Sequence, residues 1–173
     1  MNIGIFLGSF DPPHIGHLHV IADVLNSKKV DFVVVVPTVQ NPWKTNPTDF
    51  KHRYHMLCLA TDDNYDCIVS DIECILEAPY FSYKTLEALK CKFDDLDAGN
   101  LYLIVGNDID VSLWKNGDWI LNNFGIITYD REVINISSSQ IREMIKENKI
   151  LTPYLTQSIL EYINNNNLYK INN

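Results

Sequence analysis

The stretch 3-IGIFLGSFDPPHIGHLHVIADVL-25 decides how this chain is read. Its opening, Asn2–Leu7, is an apolar run rich in isoleucine that stops at Gly8, the pattern of a buried strand. Gly8 and Ser9 let the backbone turn tightly, and Pro12 and Pro13 stiffen the approach to the next element. A helix is expected from His14 to about Lys28, with Ile15, Leu18, Ile21, Ala22 and Leu25 on its inner face. His14 and His17 stand at i and i+3, so they share one side of the helix start. Unpaired N–H groups there, joined by two imidazole donors, would suit phosphate oxygens. Gly16 removes a side chain where a nucleotide would approach. Taken singly, each histidine also fits an ordinary amphipathic helix, or a metal site. An i, i+3 pair without a nearby carboxylate or cysteine is a poor metal site, and none is expected. Strand, glycine turn, H-x-G-H and helix together favour phosphate.

The same rhythm continues outward. Asp31–Val36 (DFVVVV) is a buried strand closed by Pro37, and Pro42 and Pro47 mark Thr38–Thr48 as a long loop. A helix over Asp49–Thr61 turns Met56, Leu57 and Ala60 inward. Strands follow at Asp66–Ser70, Asn100–Val105 and Phe124–Tyr129, separated by a helix over Ser82–Phe93 and short helical pieces at Ile109–Leu113 and Asp118–Asn122. Ser137 opens another helix, and Pro153–Asn165 forms the last. The alternation predicts an α/β fold: a mostly parallel sheet with helices on both faces and a small C-terminal helical segment. One domain spans residues 1–173, with 136–173 as its helical part. Ligands in such sheets bind beyond the carboxyl ends of the strands, at the switch point.

The bulk numbers exclude several classes. With 173 residues and 46% hydrophobic content the chain has a full core. A formal charge of −8 argues against a nucleic-acid binder but not against a small anionic substrate. Cys58, Cys67, Cys74 and Cys91 include no C-x-x-C pair, so no structural zinc is expected. The start MNIGIFLGSF lacks a basic leader, and no apolar run reaches 18 residues. Neither a signal peptide nor a membrane span is expected. Reduced thiols in the cytoplasm are the default.

A second element carries chemistry, 136-ISSSQIR-142. Serines at a helix start are good caps. Arg142 at that same end opposes the macrodipole, and a bound polyphosphate would reverse the preference.

Gly8-Ser9-Phe10-Asp11-Pro12 with His14-Ile15-Gly16-His17, and Ile136 to Arg142, resemble the two signatures of the HIGH-type nucleotidylyltransferase superfamily. The likeness is strongest to the nicotinate or nicotinamide mononucleotide adenylyltransferases. Asn41-Pro42-Trp43-Lys44 resembles their P-x-K loop, and Arg53 with Met56, Leu57 and Ala60 their R-x-x-M-L-x-x-A helix. Val105-Gly106-Asn107-Asp108 is similar to the I-G-x-D turn, and Pro153 to Tyr169 to the C-terminal helix and G-L-Y tail. Three departures surround the pyridine pocket. Ala78-Pro79-Tyr80-Phe81-Ser82 replaces G-P-S-Y-T, Trp114 and Trp119 stand five apart instead of three, and Arg131–Ile136 is short. They bear on the acid-versus-amide preference.

The resemblance implies a Rossmann-like fold and an AMP transfer. The phosphate of a pyridine mononucleotide attacks the α-phosphorus of ATP, giving an NAD-type dinucleotide and pyrophosphate. No general base is needed, only alignment and charge neutralisation. By the same resemblance His17 serves the α-phosphate and His14 the β/γ end. Ser9 and Phe10 offer backbone N–H groups, while Ser137, Ser139 and Arg142 hold the triphosphate. Gly8, Gly16, Gly106 and Ser138 line the ATP site, Asp108 meets a ribose, and Lys44 meets the acceptor phosphate. Phe81, Ser82 and Trp114 surround the pyridine. Mg²⁺ is expected with ATP, carried by phosphates and water. Two other readings stay open: transfer to another acceptor such as phosphopantetheine, and a nucleotide-binding regulator without turnover.

Overall fold

A computed structural model describes residues 1–40, 47–96, 99–130 and 135–170. Five strands form one sheet: β1 (Asn2–Gly8), β2 (Phe32–Pro37), β3 (Cys67–Val69), β4 (Asn100–Gly106) and β5 (Gly125–Tyr129). Their order is β3-β2-β1-β4-β5, and every neighbouring pair is parallel. The chain runs outward from β1 to one edge, then crosses to the other side of β1 as β4. The switch point therefore lies between Gly8 and Gly106, where both strands end.

Alternation along the strands splits the core in two. Ile3, Ile5, Val34, Val36, Leu103 and Val105 pack with Leu86 and Leu89 of α3 (Ser82–Asp95) and Ile120 of α4 (Gly117–Asn123). Phe6, Val33, Val35, Ile104 and Ile127 pack with Val20, Ile21 and Val24 of α1 (Ile15–Asn26) and Leu57 of α2 (Phe50–Thr61). With both faces covered, the strands read as continuous apolar runs, which is why DFVVVV was legible. Each fully buried aliphatic side chain contributes about 1.5–3 kcal/mol.

The inner face of α1 differs from the sequence expectation. Val20, Ile21 and Val24 are buried and Leu18 and Leu25 half-buried, whereas Ile15 and Ala22 are exposed. The first turn of this helix is tied instead to the C-terminal part, where the Ile15 N–H donates to the Tyr154 carbonyl at 2.9 Å.

That carbonyl belongs to the C-terminal part, which forms a third core. Met56 of α2 meets Ile141 and Ile145 of α5 (Ser138–Lys146), Leu155, and Ile159 and Ile163 of α6 (Gln157–Asn165). The last helix begins at Gln157, not at Pro153. Thr156 caps it, its hydroxyl accepting from the Ile159 N–H, and the residues before it make a turn. Among the described residues no helix is long and apolar enough to cross a membrane.

Candidate active site

A cavity of about 570 Å³ opens at the carboxyl ends of β1 and β4. Its walls include Gly8, Ser9, Phe10, His14, Gly16 and His17 from the first βα turn, and Gly106 from the end of β4. Ser82, Trp114 and Ser137, Ser138 and Ser139 complete it, so twelve predicted residues meet in one place.

The first turn is folded around one aromatic ring. Phe10 adopts a φ of 48° and is 2% exposed. Its ring lies against Gly8, where a Cβ would come within 2.9 Å, and meets Phe6 at 5.4 Å and His17 at 4.8 Å between centroids. Phe10 is a core residue, and only its backbone can serve the cavity.

The helix start does not carry unpaired N–H groups, which corrects the sequence expectation. Ile15 donates to Tyr154, Gly16 donates to His14 Nδ1 at 3.1 Å, and His17 donates to the His14 carbonyl at 2.9 Å. The His14 N–H in turn donates to His17 Nδ1 at 3.1 Å. Since each Nδ1 accepts, the proton of each neutral ring sits on Nε2. The amides at this turn thus hold the imidazoles instead of standing open to an anion.

Burial lowers the His14 pKa from 6.5 to about 4, so the ring is a neutral donor at pH 7. Between those two values the unfolded chain binds more protons than the folded one. Stability from this group is therefore complete above about pH 6.5 and falls as pH drops towards 4, by about 3 kcal/mol at its limit. Urea midpoints from pH 4 to 7 should show that slope, and His14→Gln should flatten it. A variant with an unchanged slope would remove His14 as its source.

The serine–arginine element begins with structural bonds. The Ser137 hydroxyl accepts from the Gln140 N–H, while Gln140 Oε1 accepts from the Ser137 N–H at 2.8 Å. Ser138 donates to the Pro12 carbonyl at 2.8 Å, and Arg142 donates to the Asp11 carbonyl at 2.7 Å and to the Ser139 hydroxyl at 3.1 Å. The helix is thereby strapped across the histidine turn.

Three predicted residues are not on the cavity wall. Arg142 reaches it through Ser139, Asp108 is exposed on the turn after Gly106, and Phe81 sits beside Ser82 with Lys115 Nζ 4.4 Å above its ring. Lys44 lies outside the described residues. Thr38, Tyr129, Asp130 and Asn135 line the cavity without having been singled out. Thr38 and Asp130 immediately follow strands, a signal that would have found them. The Thr38 hydroxyl oxygen is buried without a hydrogen-bond partner among the described residues.

This cavity, walled by a histidine turn and a serine helix at the switch point of a parallel sheet, is that of a nucleotidyltransferase. Residues 5–150 match the Cytidylyltransferase-like family. The chain is 34% identical to the probable nicotinate-nucleotide adenylyltransferase of Flavobacterium johnsoniae and 35% identical to that of Flavobacterium psychrophilum. Each alignment covers 98% of this chain and 100% of the relative. In fold it is similar to the Plasmodium falciparum nicotinic acid mononucleotide adenylyltransferase complexed with NaAD, with a TM-score of 0.74, 21% identity and 97% of both chains covered. The chain belongs to the nicotinate-nucleotide adenylyltransferases, within the cytidylyltransferase-like family.

Proposed function

We propose that this enzyme transfers AMP from ATP to nicotinate mononucleotide, forming the nicotinate dinucleotide and pyrophosphate in NAD biosynthesis. The observation that carries the reading is the histidine pair, locked as Nε2–H donors, in one cavity with Ser137–Ser139. An oxygen of the acceptor phosphate bonds to the α-phosphorus as the bond to the bridging oxygen of pyrophosphate breaks. The acceptor is already an anion, so no side-chain base is required. The protein aligns the two nucleotides and offsets charge on the α-phosphate and the departing pyrophosphate.

We assign His17 to the α-phosphate and His14 to the β/γ end. The backbone of Ser9 and Phe10, with Ser137, Ser139 and Arg142, grips the triphosphate. Gly8, Gly16, Gly106 and Ser138 shape the ATP wall, and Asp108 takes a ribose. Lys44 takes the acceptor phosphate, and the Thr38 hydroxyl adds a polar contact on that side. Mg²⁺ is assigned to the nucleotide, because it keeps waters and binds through phosphate oxygens.

Phe81, Ser82 and Trp114 are assigned to the pyridine ring. Phe81 occupies the N-cap position of α3 and makes no side-chain hydrogen bond there, so no side chain caps the positive end of this 14-residue helix beside Ser82 of the cavity wall. With Lys115 nearby, this favours a ring carboxylate over an amide. Incubation with ATP, Mg²⁺ and each mononucleotide should release pyrophosphate, with kcat/KM about tenfold or more higher for nicotinate, a difference of about 1.4 kcal/mol. Silence with both would refute the reading. Turnover with phosphopantetheine alone would assign a different acceptor.

A further inference from the structure

Arg53 is a buried cation outside the cavity wall. It is 1% exposed, on the inner side of α2, whose other buried residues are Met56, Leu57 and Thr61. Among the described residues its hydrogen bonds go to backbone carbonyls. Nε donates to Thr48 at 2.7 Å, Nη1 to Ser9 at 2.8 Å and Thr38 at 2.7 Å, and Nη2 to Val39 at 3.0 Å. Ser9 belongs to the phosphate turn. Thr38–Val39 and Thr48 are the two stems of the loop that follows β2.

Two buried carboxylates grip the same stems from the other side. The Val39 N–H donates to Glu73 Oε2 at 2.7 Å, and Glu73 Oε1 accepts from the Thr85 hydroxyl of α3 at 2.7 Å. The Thr48 N–H donates to Asp11 Oδ2 at 3.2 Å, and Asp11 Oδ1 accepts from the Tyr169 hydroxyl at 2.8 Å. Val39 and Thr48 are thus each held at the carbonyl by the guanidinium and at the N–H by an anion. Glu73 is 1% and Asp11 7% exposed, so the alternation anion–cation–anion is largely shielded from water. A lysine has neither the planar fork nor the reach to serve four carbonyls.

We propose that Arg53, backed by Glu73 and Asp11, is a positioning residue that sets Thr38–Val39 and Thr48 against the phosphate turn, so that acceptor phosphate and α-phosphorus come into line. The inference rests on the adenylyl-transfer reading above. One guanidinium joins the backbone on the ATP side to the backbone beside Thr38, whose side chain lines the cavity. Three of its four contacts are on the acceptor side, so its loss should weaken acceptor alignment more than ATP binding.

Arg53→Lys and Glu73→Gln test this, with steady-state kinetics and calorimetric ATP binding on folded protein. For Arg53→Lys we expect the mononucleotide KM to rise about tenfold and kcat to fall about 10–100-fold, because small misplacements of reacting groups cost that much. The ATP dissociation constant should stay within about threefold, which separates positioning from a general loss of fold. Glu73→Gln alters no residue of the cavity wall, yet it should move the same two constants in the same direction. The double variant should lose less than the product of the single losses, since both act through Val39. Unchanged mononucleotide constants, parallel loss of ATP affinity, or full multiplicativity would each overturn the proposal. Turnover by the unaltered chain beside such a result overturns the inference alone, whereas its silence overturns the proposed function and this inference with it.

Discussion

Replacing His17 by alanine is expected to lower kcat by about 10²–10³-fold, the loss found when one donor to a developing oxyanion is removed. Nδ1 of this ring accepts from the His14 N–H, which puts the ring proton on Nε2, the atom the proposed mechanism assigns to the α-phosphate, where charge would accumulate during transfer. The replacement deletes that donor and a cap on α1, so a stability cost of about 1 kcal/mol should accompany it. The chain should remain folded at room temperature, with an ordinary circular dichroism spectrum. Pyrophosphate release at the unaltered rate would remove His17 from the mechanism.

The largest stability effect is expected at Asp11. Asp11→Ala should cost about 3–5 kcal/mol, because removing one partner leaves an uncompensated charge in a buried network. The Thr48 N–H and the Tyr169 hydroxyl lose their acceptor, and the Arg53 guanidinium loses an attraction that opposes its desolvation. Against a total of about 5–15 kcal/mol that is a large share, readable in a urea titration at pH 7. A loss below about 1 kcal/mol would mean that water replaces the carboxylate.

These two residues also mark what a sequence can and cannot reveal. The sheet was legible because both of its faces are covered, so Asn2–Leu7 and Asp31–Val36 read as buried strands without tertiary knowledge. The histidine turn was legible because its residues are neighbours in the chain. The locking of His14 and His17 by their own helix amides was not, since spacing reveals proximity but not which nitrogen accepts. The start of α6 was misplaced because Pro153 is an acceptable first helical residue, and only the Thr156 cap reveals the later start. Arg53 was noticed as part of a motif, yet its four carbonyl contacts depend on loops 5 to 44 residues away. Asp11 reads in the sequence only as one residue of the Gly8–Pro12 signature, and Glu73 lies on a short 3₁₀ segment without any pattern of its own. Burial of a charge is decided by the whole fold, and no local pattern announces it.

The Asp11–Tyr169 bond, with its 158-residue separation, has a consequence for how the molecule comes into being. At a synthesis rate of about 5–20 residues per second, the histidine turn leaves the ribosome on the order of ten seconds before its fastener exists. The sheet can close on local and parallel pairings meanwhile, but the turn gains this tie only once Tyr169 has been made. Docking of the tail onto Asp11 is thus a late event in the maturation of this turn.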